Sequence, residues 1–266
     1  MFCNVKTRGH RAKCDPVNVI EPNWPAPPHI LAFSTTRQGG GSTGAYRDLN
    51  IAQHVGDNVD TVARNRQALA RELPAGTAIQ WLIQEHGSNV VQASNSVRDV
   101  VADASWAAIP AVACAVMTAD CLPVLFCSEN GEKVAAAHAG WRGLAQGVLE
   151  NCVAAMKTDT SGILAWLGPA IGPQSFEVGG EVREQFMASS AQQQKAAILG
   201  CFKALSNRPG FYLADLYSLA RIRLTSMGLS GIYGGGYCTY TENSQFFSYR
   251  RDGETGRMVT LITKTS

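Results

Sequence analysis

The 266-residue sequence predicts a single α+β domain. Three observations predict it. Short apolar runs of strand character crowd together between residues 78 and 140, too closely for a regular alternation of strand and helix. Helical periodicity is confined to stretches before and after that cluster. No linker, repeat or low-complexity segment divides the chain, and its length fits one large domain. Hydrophobic residues make up 45% and charged residues 17%, which permits a sizeable core and argues against wholesale disorder.

The elements follow in order. Residues 1 to about 20 show no periodicity and read as a loose N-terminal extension, with the domain occupying 21–266. Cys3, His10 and Cys14 lack a fourth ligand and fit no strong metal spacing. "PNWPAPP" is an extended proline-rich lead-in, and "ILAFSTT" reads as a strand. "RQGGGSTGAYRDLN" is a long glycine-rich loop. "DNVDTVARNRQALARELP" reads as a helix, with Asp57 as N-cap, Val59, Val62, Leu69 and Leu73 near one face, and Pro74 as its end. "AIQWLIQEHGSNVVQAS" predicts two strands turning at Gly87-Ser88. "VACAVMTADC", "PVLFCSE" and "KVAAAHAG" predict three more, the last two joined by an Asn-Gly hairpin signal in "ENGE". "WRGLAQGVLENCVAAMKT" reads as one helix, because Leu144, Val148 and Cys152 recur every four residues with Leu149 and Met156 alongside. "ILAWLGPAIG" is a buried strand ending in a Gly-Pro turn. Helical stretches are expected near 180–205 and 213–228. "QFFSYRRDGETGRMVTLITK" predicts two strands around an Asp-Gly loop.

Composition excludes some classes of function. A net charge of +2 offers no electrostatic case for nucleic acid or a membrane surface. No apolar run approaches the length of a membrane span, and the basic N-terminus lacks the apolar centre of a secretory signal, so the expected location is the cytosol. The eight cysteines are then expected to stay reduced, most of them as small buried hydrophobes.

Of the five histidines, His86 and His138 share a setting with Cys121: each closes an apolar run near a turn. If those runs end together, two imidazoles and a thiolate meet at one rim. That donor set suits zinc in a site with its fourth position open, where a bound water becomes a nucleophile near neutral pH. Spacing alone leaves unrelated core or polar roles open. Asp120 reads either as a carboxylate supporting the site or as a structural acid capping the turn. It shares a pocket with its neighbour Cys121 only if the strand breaks, which Pro123 permits. "HAGWRG" places Arg142 at a helix start, suited to phosphate or carboxylate. Arg37, in the glycine-rich loop, could reach an anion, although that loop has neither P-loop nor dinucleotide spacing. Arg250, Arg251 and Arg257 read individually as solvated hairpin charges, and Glu85 joins Asp120 as a candidate proton shuttle.

Taken in series, "FSTTRQGG", "LNIAQHVGD", "QEHG", "ADA", "TADCLPVLF", "AAAHAGWRG", "WLGPAIGPQSFEVG", "CT" and "FFSYRRDGETGRM" resemble the YfiH-type laccase-domain family, over about residues 21–263. The family is also called multicopper polyphenol oxidase-like or purine nucleoside phosphorylase-like. The resemblance implies one α+β unit of mixed sheets flanked by helices, with His86, Cys121 and His138 as metal ligands. It implies purine nucleosides and phosphate as ligands. The activities would be phosphorolysis of adenosine, inosine, guanosine and methylthioadenosine, and deamination of adenosine. The older name implies copper and phenol oxidation, but five histidines are too few for a multicopper array. A comparison with cysteine hydrolases implies, alternatively, Cys121 as nucleophile and His138 as its base. Gly41 stands where many relatives place valine, a loop change remote from the three ligands.

Overall fold

A computed structural model of the protein describes residues 17–95, 99–229 and 231–265. The expected extension lies partly outside these residues, as do Cys3, His10 and Cys14. Its last residues are not loose. Val19–Ile20 form a strand antiparallel to Ile30–Thr35, and Val17 is buried.

Two mixed sheets dominate. The first has five strands in the order Val19–Ile20, Ile30–Thr35, Met258–Lys264, Val112–Thr118, Ala78–Gln80. The second has six: Gly231–Gly234, Ile163–Leu167, Leu122–Ser128, Val134–Ala139, Ala104–Ala107, Val90–Gln92. The period-2 alternation of strand side chains decides how the sheets stack. Val112, Cys114 and Val116 of the first sheet meet Leu125, Cys127, Val134, Ala136 and Trp166 of the second. The intervening residues of the first sheet, Ala113, Ala115 and Met117, face Leu69 and Leu73 on the other side. Those of the second, Val124, Phe126, Ala135 and Ala137, face the helices Val148–Met156 and Leu216–Ser226. The result is helix, sheet, sheet, helices in four layers. These strands are buried on both faces, which explains why their sequences read as continuous apolar runs. Burying one side chain such as Phe126 contributes about 1.5–3 kcal/mol.

Several local expectations are corrected. The first helix, Val59–Ala70, is capped by Asn58, whose side chain accepts from the Thr61 N–H at 3.0 Å. Asp57 instead accepts from Ser42 Oγ and Asn50 Nδ2. Val59 is 65% exposed and so is not on the buried face. The expected long helix from Trp141 is two, Trp141–Ala145 and Val148–Met156, because Gly147 at φ 89° turns the chain out of helical geometry. The predicted pair of strands after residue 78 is three short strands, Ala78–Gln80, Leu82–Ile83 and Val90–Gln92, each in a different sheet. The Gly180–Ala188 and Lys195–Gly200 helices end before a strand at Phe202–Ala204. Another strand, Phe211–Ala214, precedes the Leu216–Ser226 helix capped by Asp215. The C-terminal hairpin does not form. Tyr249–Asp252 is a single helical turn capped by Ser248, and only Met258–Lys264 is a strand, inserted at the centre of the first sheet. The "ENGE" hairpin does form, with Cys127 opposite Val134. Among the described residues no helix is long and apolar enough to cross a membrane.

Candidate metal centre

The centre forms where the two sheets meet at one rim. His138 is the fifth residue of the Val134–Ala139 strand, so it shares the inter-sheet face with Val134 and Ala136 and lies at that strand's end. The neighbouring strand begins at Leu122, paired with Ala139. One step outward, Cys121 therefore comes opposite Gly140. The strand breaks just before it: Ala119, Asp120 and Cys121 form a bend in which Asp120 has φ 91°. Pro123 is not the breaker. It sits inside the strand, opposite His138. His86 arrives from the loop that carries the chain between the sheets, held at φ 60°, rather than from a strand end.

The donor atoms of His86, Cys121 and His138 lie within 4.8 Å of one another. Cys121 Sγ is 3.7 Å from His86 Nε2, against about 3.6 Å for adjacent sulfur and nitrogen ligands on tetrahedral zinc with ordinary bond lengths. The centre leaves no room for a side chain at Gly140. A Cβ there would stand 2.9 Å from His86 Cδ2 and 3.1 Å from Cys121 Sγ. A Cβ at Gly143 would come 2.5 Å from the Gly87 carbonyl oxygen, so the "HAGWRG" and "QEHG" segments are in direct backbone contact. Two imidazoles and a thiolate at this separation fit zinc, and copper(I) is compatible with the same donors.

A carboxylate not singled out from the sequence holds the arrangement. Asp103 Oδ1 accepts from His138 Nδ1 at 2.8 Å and from the His86 N–H at 3.0 Å. Its Oδ2 accepts from the Gly87 N–H at 2.7 Å and the Glu85 N–H at 3.3 Å. The strand register makes this possible. Ala104 pairs with Ala137, and the next step sets Asp103 beside His138, whose N–H donates to the Asp103 carbonyl at 2.7 Å. Asp103 thus fixes the His138 ring so that Nε2 faces the centre, and shapes the loop that presents His86. Burial raises the Asp103 pKa, but the hydrogen bond to His138, its charge and the backbone donors hold it below the ordinary carboxylate value. Burial likewise disfavours charge on Cys121 and His138, yet each stabilises the other. Attraction to His138 draws the Cys121 thiol down to about 6, and Cys121 together with Asp103 lifts His138 to about 9. Without metal the pair is a thiolate beside an imidazolium. The other core thiols go the opposite way, with burial pushing Cys114 and Cys127 up to about 12.

The three donors line a cavity of about 470 Å³, whose wall includes His54, Gln84, Met117, Arg142, Tyr249 and Arg257. The Arg142 guanidinium stacks over the Trp141 ring at 4.5 Å and makes no hydrogen bond among the described residues. Its helix, however, has only five residues, too short for the anion-attracting terminus expected from the sequence. The remaining sequence candidates are not in the cavity wall. Arg37 donates from Nε and Nη2 to the Arg47 carbonyl and from Nη1 to the Asn243 carbonyl, and stacks over Phe247. It ties the glycine-rich loop to the C-terminal segment. Asp120 accepts from Thr239 Oγ1 at 2.6 Å and the Arg250 N–H at 2.7 Å, so both its oxygens are spent in anchoring the bend beside Cys121. Glu85 contributes its backbone N–H to Asp103, and its side chain is absent from the wall. Arg257 and His54, by contrast, do line it, and charge at a hairpin end gave no hint of that.

The chain is similar over most of its length to known proteins. The sequence profile described as multi-copper polyphenol oxidoreductase laccase matches residues 31–265. Purine nucleoside phosphorylase YfiH of Escherichia coli is 52% identical over 247 residues, covering 92% of this chain and 98% of that protein. A purine nucleoside phosphorylase of Pseudomonas aeruginosa is 49% identical over 243 residues, covering 91% and 97%. Among solved structures, the Neisseria meningitidis protein NMB0706 superposes with a TM-score of 0.88 at 48% identity, over 94% of this chain and all of that one. YlmD from Geobacillus stearothermophilus superposes at 0.83 and 30% identity, over 95% of this chain and all of that one. Among the described residues the centre is the one group of three close metal donors, and His29 and His54 stand outside it, so a multicopper array has no second set of ligands there. The family's description and the single centre are compatible because membership is a matter of the shared chain: this protein belongs to the multi-copper polyphenol oxidoreductase laccase family, the laccase-like YfiH family.

Proposed function

We propose that this protein is a metal-dependent purine nucleoside phosphorylase with zinc as its resident ion. The observation that carries the reading is the convergence of two imidazoles and a thiolate in the wall of a cavity that also presents the uncommitted guanidinium of Arg142. The names of the two bacterial relatives above supply the reaction class. The proposed substrates are adenosine, inosine, guanosine and methylthioadenosine with phosphate, and adenosine deamination is a second activity of the same centre. Cytoplasmic residence fits such substrates. Copper is the alternative occupant.

When bound, zinc supplies a Lewis acid that withdraws charge from an oxygen held against it. The chain does the rest. Asp103 keeps a proton on His138 Nδ1, which leaves the Nε2 lone pair for the metal. Arg142 and Arg257 pair the charge of phosphate in the cavity. In phosphorolysis a phosphate oxygen bonds to the ribose C1′ as the C1′–N9 bond breaks, and the bonding electrons leave with the purine. Held guanidinium groups favour that step by keeping the nucleophile in line rather than in bulk water.

A second reading rests on a separate observation. Asp103, His138 and Cys121 form a carboxylate–imidazole–thiolate chain, the arrangement of a cysteine hydrolase or amidase. Chelation separates the two, since it abolishes activity under the metal reading and leaves it under the hydrolase reading, whereas alkylation of Cys121 abolishes a hydrolase. The direct test is Cys121→Ala, assayed for bound metal, inosine phosphorolysis and adenosine deamination. The expected result is loss of metal and a fall of about 100-fold or more in both rates. Unchanged rates in the folded variant remove the centre from the mechanism.

A further inference from the structure

The cavity does not end at the three donors. A second chamber of about 410 Å³ shares His54, Gln84 and Met117 with it, so the two chambers adjoin across these three side chains. Their chemistry differs. Among the described residues the first chamber has Arg142 and Arg257 and no carboxylate in its wall, which suits an anion. The second is walled by Arg66, Trp81, Leu82, Ile83 and Asp99. Arg66 is already committed. Its guanidinium lies 4.0 Å over the Trp81 ring, its Nε donates to the Ile51 carbonyl at 2.9 Å, and Asp99 offsets its charge. What this chamber offers is flat, partly apolar and balanced in charge, and Asp99 disfavours a second anion. Such a surface suits a neutral planar heteroaromatic ring, which stacks on aromatic and guanidinium planes.

At the junction stands His54. Its ring has no hydrogen-bond partner among the described residues. Burial, Arg257 and Arg66 hold its pKa below the ordinary value, so it is a neutral imidazole with one donor and one acceptor. Gln84, beside it, is not available, because its amide is spent on both backbone groups of Met117.

The structure assigns the second chamber as a nucleobase subsite: the purine ring lies against the Arg66–Trp81 stack, its edge hydrogen-bonded by His54, while ribose and phosphate occupy the chamber of the three donors. The identity of the ring rests on the phosphorylase reading. Both chambers have the volume of ordinary ligand pockets, and together they match a ligand with one neutral flat end and one anionic end.

The test uses Ile83, which is 49% exposed, lines the second chamber and is absent from the first. Ile83→Trp narrows the chamber. Adenine binding to the metal-loaded full-length protein is measured by calorimetry, with the Michaelis constants for inosine and phosphate alongside. For Ile83→Trp, adenine affinity and inosine KM are expected to worsen about tenfold or more, with phosphate KM within about twofold. Unchanged adenine binding in Ile83→Trp overturns the subsite, as does a wild type that binds no adenine. A wild type that binds adenine in this Ile83-sensitive way but cleaves no nucleoside upholds the subsite and removes the phosphorylase reading.

Discussion

Replacing Asp103 with asparagine tests the organisation of the centre most directly. The carboxylate accepts four hydrogen bonds, two on each oxygen: His138 Nδ1 and the His86 N–H on one, the Gly87 and Glu85 N–H groups on the other. An amide of the same shape has one acceptor oxygen and one donor NH₂. If the NH₂ replaces Oδ2, it meets two backbone donors, and the His86 loop loses two of its three bonds to this side chain. If it replaces Oδ1, His138 keeps a hydrogen bond only by moving its proton to Nε2, which removes the lone pair a metal needs. Each charge-assisted bond contributes about 1.5–3 kcal/mol, and Asp103 is 1% exposed, so solvent does not compensate. Loss of two such bonds lowers stability by about 3 kcal/mol or more. Loss of an outer carboxylate lowers metal affinity by about 10–100-fold, which is ~1.4–2.8 kcal/mol. The assay is competition for zinc against a chromophoric chelator, with thermal unfolding of the metal-free protein alongside. Metal affinity within about twofold of wild type, in a folded variant, would refute the orienting role of Asp103.

Two further predictions concern the same centre. Gly140→Ala is expected to leave the backbone unstrained, since φ −58° and ψ 156° suit any residue, and yet to lower zinc affinity about tenfold or more, because the new methyl group displaces the His86 ring and Cys121 Sγ; unchanged affinity in the chelator competition contradicts the close approach. In metal-free protein, Cys121 should react with iodoacetamide in the thiolate form down to about pH 6, its rate falling as pH drops through that value, while Cys114 and Cys127, pushed up to about 12, stay inert; peptide mapping by mass spectrometry across pH 4–9 gives each residue's profile, and a Cys121 midpoint near the free-thiol value of about 8.5 excludes the His138 pairing.

Much of the fold was legible because burial leaves its mark locally. "VACAVMT", "LPVLFCS" and "VAAAHA" are buried along their whole length, so they read as strands without alternation, and the Asn-Gly signal located the turn between the last two. The break at Gly147 was not legible, since a helix face continues across it unchanged: Leu144, Val148 and Cys152 are all buried in the same layer. The Tyr249–Asp252 turn was also hidden, because its apolar and charged residues suit a strand equally well, and contacts with Asp120 decide its form.

For the centre, the sequence by itself determined the chemistry on offer: two histidines and one cysteine in turn-proximal settings, and an arginine between two glycines. Residue type is a local property, and donors that suit zinc can be read wherever they stand. Only the tertiary structure decided which residues serve. Asp103 and His138 are 35 positions apart and meet through strand register, Arg37 and Asp120 are diverted to backbone partners, and His54 and Arg257 are brought to the cavity wall. The physical reason is that hydrogen bonds and close packing act over a few ångströms of space, and distance along the chain does not measure that space.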